Sequence, residues 1–90
     1  KTPTWRETAK VFPNPNTGKF ALQLSSLPSP HTQLRLWNSL GQLIQATYWN
    51  NALSYTQWIE IPEATPGLYL LELNAEGEKG YWRVLVTEKN

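Results

Sequence analysis

Few side chains in this 90-residue chain have the types and spacing that acid–base or nucleophilic chemistry requires. The single histidine, His31, ends the proline-containing segment LPSPH, where a histidine is far more often a solvated surface residue than a catalyst or a metal ligand. The Gly-x-Ser-x-Gly elbow of serine hydrolases does not occur, so a serine–histidine–carboxylate set has no supporting motif. Cysteine is absent, which excludes thiol catalysis, disulfides and cysteine-based zinc sites.

Paired carboxylates could hydrolyse glycosides or hold a divalent cation. All the acidic residues are Glu, and the closest pair, Glu76 and Glu78, falls beside Lys79 in a predicted turn, as expected of solvated charges. Asp, a usual ligand of calcium loops, is absent, and the five glycines are isolated turn residues rather than a phosphate-binding loop. We therefore predict a domain that is not an enzyme and that has no catalytic residue, cofactor or metal.

Aromatic residues offer another route to a binding site. Five tryptophans could form a platform for sugars or for a partner protein: Trp5, Trp37, Trp49, Trp58 and Trp82. Alternatively, some of them fill the core while others pair across strands on an outer face. Trp37 is opposite in parity to Leu34 and Leu36, which predicts that it points outward. A non-catalytic accessory module that binds carbohydrate or a neighbouring domain therefore remains an alternative function.

Composition and charge limit the partners. The hydrophobic share of 40% and the charged share of 17% are typical of one globular domain. The net charge of +1 is too small to attract nucleic acid or an anionic membrane by itself. No apolar run approaches the ~20 residues that span a bilayer, so direct insertion into a membrane is not expected.

The positions that would carry any site lie on strands and turns. Alternating apolar residues predict strands of the all-β class, separated by segments rich in proline, asparagine and glycine. The spacing favours a seven-stranded antiparallel immunoglobulin-like β-sandwich. Because the run LYLLELN alternates little, it is expected to be a central strand covered on both faces. The predicted strands span residues 5–12, 19–25, 32–38, 42–49, 55–61, 68–74 and 81–87, with a turn at residues 75–80.

Three phrases, in this order, resemble the type A C-terminal sorting domains of the type IX (Por) secretion system of Bacteroidetes. VFPNPNTG, at residues 11–18, is similar to the family's PNP-x-x-G opening. LWNSLGQLI, at residues 36–44, resembles its strand–turn–strand phrase, with Trp37 where tyrosine is usual. PGLYL, at residues 66–70, is similar to its glycine–x–tyrosine strand.

The resemblance implies a folded export label. Such a domain is recognised by an outer-membrane translocon on a cargo that arrives through the periplasm, and in many members a sortase-like surface peptidase then removes the domain. Residues 1–10 would be a linker remnant and a candidate first strand, and residues 11–90 the sorting domain. The implied partners are translocon components, the peptidase and a cargo fused at the N-terminus, and the implied location is secreted or on the outer-membrane surface. A Trp- and Leu-rich edge strand would also favour a dimer.

The resemblance also singles out ten motif and recognition residues. Turn and core roles are the commoner reason for such residue types, whereas direct contact with the translocon is expected mainly from the final strand and tail, residues 83–90. The ten residues are Pro13, Asn14, Pro15, Gly18, Asn38, Gly41, Gly67, Tyr69, Arg83 and Lys89.

Their residue types predict distinct local roles. Gly18, Gly41 and Gly67 are expected to hold turn conformations that a side chain would strain. Pro13 and Pro15 are expected to stiffen the first loop and to present Asn14 in one pose. Tyr69 is expected to pack in or beside the core with its hydroxyl on a polar neighbour.

Overall fold

A computed structural model describes residues 9–25, 31–49, 55–75 and 77–88 of the chain. These residues form seven strands in two antiparallel sheets, with β1, β2 and β5 in one and β4, β3, β6 and β7, in that order, in the other. The predicted seven-stranded immunoglobulin-like sandwich is therefore confirmed. In the part of the chain that the structure describes, no helix is long and apolar enough to cross a membrane. The strands are β1 (Lys10–Phe12), β2 (Lys19–Gln23), β3 (Thr32–Asn38), β4 (Leu43–Tyr48), β5 (Thr56–Glu60), β6 (Gly67–Ala75) and β7 (Glu78–Val86).

The core lies between the two sheets and follows from the alternation of apolar residues. Alternate side chains of β2, β3 and β6 point into it, although Ala21 and Glu72 are also buried on the outer faces of the sheets. Burial of one Leu or Phe side chain stabilises the fold by ~1.5–3 kcal/mol. The residues of this core are Phe20, Leu22, Leu24, Leu34, Leu36, Trp49, Ile59, Ile61, Tyr69, Leu71, Leu73, Val84 and Val86.

The last hairpin is tighter than predicted. A turn was expected over residues 75–80, but Ala75 already pairs with Glu78, so both strands extend into that segment. Two features explain the short connection: the Asn74 side-chain oxygen accepts a hydrogen bond from the Gly77 amide at 2.9 Å, and Gly77 has a φ of 94°. Only the end of the first predicted strand falls within the described residues, as β1.

The prediction that the sixth strand is covered on both faces is wrong, although the strand is central. β6 lies between β3 and β7, yet Leu68 and Leu70 are 46% and 37% exposed. Tyr69, Leu71 and Leu73 face the core, whereas Leu68 and Leu70 lie on the outer face, which the other sheet does not cover. A leucine-rich run thus fills one buried face and one solvated face of an antiparallel sheet.

Candidate recognition site at the motif end

Strand direction brings the three motif phrases to one end of the sandwich. The Gly18 carbonyl, just before β2, accepts a hydrogen bond from the Ile61 amide, just after β5, at 2.8 Å. In the other sheet Asn38 pairs with Tyr69, and Gly67 pairs with Val86. We call this end of the molecule, made of residues 13–18, 38–41, 62–67 and 83–88, the motif end.

The first phrase binds the last strand through Asn14. The Asn14 side-chain nitrogen donates a hydrogen bond to the Arg83 carbonyl, and its side-chain oxygen accepts one from the Leu85 amide, both at 2.9 Å. Among the described strands β7 pairs only with β6, so these two backbone groups lie on its outer edge. One asparagine amide therefore takes the place of a neighbouring strand over this short stretch.

Asn16 continues the same contact with its backbone and closes the loop with its side chain. Its amide donates to the Leu85 carbonyl at 3.0 Å, and its carbonyl accepts from the Thr87 amide at 2.7 Å. Its side-chain oxygen accepts from the Gly18 amide at 2.8 Å, while its side-chain nitrogen donates to the Pro13 carbonyl at 3.1 Å. Because Asn16 is only 6% exposed, these bonds are sheltered from water.

Sequence reasoning did not single out Asn16, although a local signal was present. In Asn-Thr-Gly the asparagine oxygen is placed to bond the amide two residues ahead, which is the Asx turn seen here. Pro13 and Pro15, each of which follows a cis peptide bond, flank Asn14 and are themselves exposed.

The second phrase builds the turn between β3 and β4 around Asn38. The Asn38 side-chain oxygen accepts hydrogen bonds from the Leu40 and Gln42 amides, both at 2.9 Å, and its side-chain nitrogen donates to the Gln42 side chain at 2.8 Å. Gly41 completes the turn with a φ of 81°. Gly41 therefore adopts the predicted positive φ, and Asn38 has a hydrogen-bonding role at this turn.

The third phrase ties the loop between β5 and β6 to the core. Tyr69 is buried, and its hydroxyl donates to the Thr65 carbonyl at 2.8 Å and lies 3.1 Å from the Thr65 hydroxyl. Gly67, the first residue of β6, has a φ of 150°, which favours glycine. The geometry matches the expected packing of Tyr69 in the core with a polar neighbour for its hydroxyl.

A groove of about 550 Å³ opens between the first loop, the loop after β5 and the end of β7. Its lining includes Lys19 and three carboxylates, those of Glu60, Glu63 and Glu88. Among the described residues no three His, Cys, Asp or Glu side chains are grouped so that they could hold a metal ion.

Of the two predicted site residues that remain, Arg83 is exposed on β7, at the motif end. His31, for which a surface position was predicted, is exposed just before β3. Lys89 lies outside the described residues, as does Trp5.

The tryptophans within the described residues do not form one platform. Trp49 is buried in the core and Trp82 packs against it. Trp37 points outward as predicted, on the four-stranded sheet, where it pairs with Leu43 and Leu70. Trp58 is exposed on the other sheet, where its ring lies edge to face with the Phe12 ring and the two ring centroids are 6.1 Å apart.

The fold and the motif end define a small all-β domain in which the motif residues build turns and hold the last strand. The model of the family described as "Secretion system C-terminal sorting domain" matches residues 10–87. The chain therefore belongs to this family, and it is a C-terminal sorting signal for type IX secretion. The family is not a catalytic one, and its signal directs export to the cell surface or secretion. No curated protein sequence matches the chain.

Proposed function

We propose that the type IX translocon recognises the motif end of the folded domain. The observation that supports this is the meeting of three phrases, distant in sequence, with the end of β7 at one end of the sandwich. Turns that are already held by hydrogen bonds lose little conformational freedom when a partner binds. Recognition of a folded end is therefore favoured over recognition of an extended tail alone.

Within this proposal the turn at residues 38–41 and the final strand supply the contact side chains, and the first loop positions the final strand. Arg83 is exposed, while its carbonyl is held by Asn14. Asn14, Pro13, Pro15 and Gly18 thus act on the partner indirectly, through the pose of β7. Lys89, in the tail that follows, is proposed as a second basic contact.

β1, the first described strand, begins on the other side of the domain. Lys10 pairs with Gln23, at the end of β2 that is remote from Gly18. A cargo fused at the N-terminus would reach β1 from that side. The translocon could then hold the motif end in the periplasm, and a sortase-like surface peptidase could later cut before β1 without competing for the same surface.

Cleavage before β1 predicts the C-terminus of the exported cargo. We expect peptide mass mapping of a surface-recovered reporter fusion to show a last peptide that ends before Lys10. The same fusion recovered from a strain without the peptidase should retain the whole domain. A surface reporter that keeps β1 in the strain with the peptidase would contradict this cleavage site.

A matched pair of turn variants tests recognition at the motif end. Asn38 and Asn74 both cap a hairpin of the four-stranded sheet, but at opposite ends of it. We expect Asn38→Ala to reduce surface export of a reporter fusion roughly fivefold, equivalent to ~1 kcal/mol of lost contact, and Asn74→Ala to leave export unchanged. Export is measured with a reporter that has a Sec signal, in a bacterium with an intact translocon.

Thermal unfolding of each purified domain separates loss of contact from loss of fold. Leu40→Arg gives a second probe, because Leu40 is 81% exposed and its side chain can be changed with little effect on stability. We expect this variant to be folded and poorly exported. Equal export of the parent, Leu40→Arg and Asn38→Ala fusions, with all three domains folded, would refute recognition at the motif end.

A further inference from the structure

The outer face of the four-stranded sheet carries a second groove, which adjoins the motif end at Asn38, Ser39 and Gly41. The strand register places the side chains of β3, β6 and β7 in rows across this face. One row contains Trp37 and Leu70, and the next contains Arg35, Glu72 and Tyr81. The groove has a volume of about 510 Å³. We call it the outer-sheet groove, and the residues that matter below are Arg35, Trp37, Leu70, Glu72, Lys79 and Tyr81.

Glu72 lies between two aromatic side chains and contacts both. Its carboxylate accepts a hydrogen bond from the Trp37 indole nitrogen at 3.1 Å and one from the Tyr81 hydroxyl at 3.5 Å. β6 lies between β3 and β7, so the strands that carry the two rings are roughly 10 Å apart, or two strand spacings. Glu72 is only 5% exposed, so its hydrogen bond to Trp37 is sheltered from water and fixes the orientation of that ring before any ligand arrives. The longer contact to Tyr81, which is 54% exposed, holds that ring less firmly.

The charge of this face favours an anionic ligand. Arg35, Lys79 and Arg83 lie on it, while Glu72 is the single carboxylate among the described residues of the face. Lys79 lies 3.8 Å from the Glu72 carboxylate, yet its own side chain is half exposed and can reach a further anion. Because Glu72 is covered, the charges that a ligand meets are mainly positive.

We propose that the outer-sheet groove binds an acidic oligosaccharide of the uronic-acid type. Sugar rings would stack on Trp37 and Tyr81, and their carboxylates would pair with Arg35 and Lys79. A peptide is less well matched, because the backbone groups of β3 and β6 are already used in the ladders on both sides of each strand. The groove also lies on a sheet face rather than at an open edge. The side chains that would hold the sugar, those of Arg35, Trp37, Lys79 and Tyr81, lie outside the motif end, so this inference does not depend on how the translocon recognises that end.

The test uses tetragalacturonate and its methyl ester, in which methylation removes the charge of each carboxylate. We expect the acid to produce saturable changes in the nuclear magnetic resonance signals of the ¹⁵N-labelled domain at Trp37, Tyr81 and their neighbours. The ester should bind about tenfold more weakly or worse, because hydrogen bonds to a charged group are lost. Affinity for the acid should also fall as salt is raised.

Variants on the two sheet faces complete the design. Trp37→Ala and Tyr81→Ala should each weaken binding about tenfold, while Trp58→Ala, on the opposite face, should leave it unchanged. Because Tyr81 is 54% exposed, Tyr81→Ala is expected to fold and tests the proposal even if Trp37→Ala unfolds. The proposal is overturned by absence of saturable changes with tetragalacturonate, by equal losses in Trp58→Ala, or by an oligoglutamate peptide that binds the same residues as tightly.

Discussion

Replacement of Gly18 with alanine is expected to lower the free energy of unfolding by roughly 2–4 kcal/mol. Gly18 has a φ of 122°, which L side chains rarely adopt, and a Cβ placed there would lie 2.9 Å from the Ala64 Cβ. Backbone strain and crowding therefore act together at the point where the first loop meets the loop after β5. Urea unfolding should show a lower midpoint with an unchanged slope, and the melting temperature should fall by about 4–8 °C per kcal/mol.

Two further variants separate the effect of backbone strain at Gly18 from the effect of crowding against Ala64. Gly41 has a φ of 81°, and a Cβ added there would have no neighbouring atom within 4 Å. Gly41→Ala should therefore lower the free energy of unfolding by ~1–2 kcal/mol, which is the cost of backbone strain alone. Adding Ala64→Gly to Gly18→Ala should recover the contact part, after correction for Ala64→Gly alone. If the double variant recovers nothing, or if the Gly18 and Gly41 variants are equally stable, crowding against Ala64 is not the cause.

Local pattern was enough to predict the strands, because alternation is set by neighbours in sequence. Leu34 and Leu36 face the core and Trp37 faces outward, as their parity predicts. The positive φ values of Gly18 and Gly41 could likewise be predicted, since the flanking residues are turn formers. These inferences need no knowledge of what lies across the sheet.

Pairings between distant residues could not be predicted, and they make the site. Asn14 was expected to occupy a turn, but its partners Arg83 and Leu85 are 69 and 71 positions away. The exposure of Leu68 and Leu70 depends on which sheet face the second sheet covers, which no single strand encodes. Glu72 was not singled out because one Glu in a leucine-rich strand gives no sign of the Trp37 ring that it binds.

Replacement of Asn16 with alanine is expected to lower the free energy of unfolding by ~2–4 kcal/mol and to loosen the end of β7. The change removes two side-chain bonds and leaves the buried Gly18 amide without the Asn16 oxygen that it now donates to. Hydrogen exchange should accelerate more at the Thr87 amide, which donates to the Asn16 carbonyl, than at the Leu71 amide in the centre of the sheet. Urea unfolding and amide exchange of the same samples measure both effects.

Asn14→Ala is the matched control, because Asn14 belongs to the same loop and also bonds β7. Its two side-chain bonds are exposed, so its loss should lower the free energy of unfolding by only about 1 kcal/mol. Asn16→Asp should restore part of the stability, since a carboxylate still accepts from the Gly18 amide but cannot donate to the Pro13 carbonyl. If the two alanine variants are equally stable, burial of Asn16 does not decide the strength of the loop. The backbone bonds to Leu85 and Thr87 would then be what hold the first phrase to the last strand.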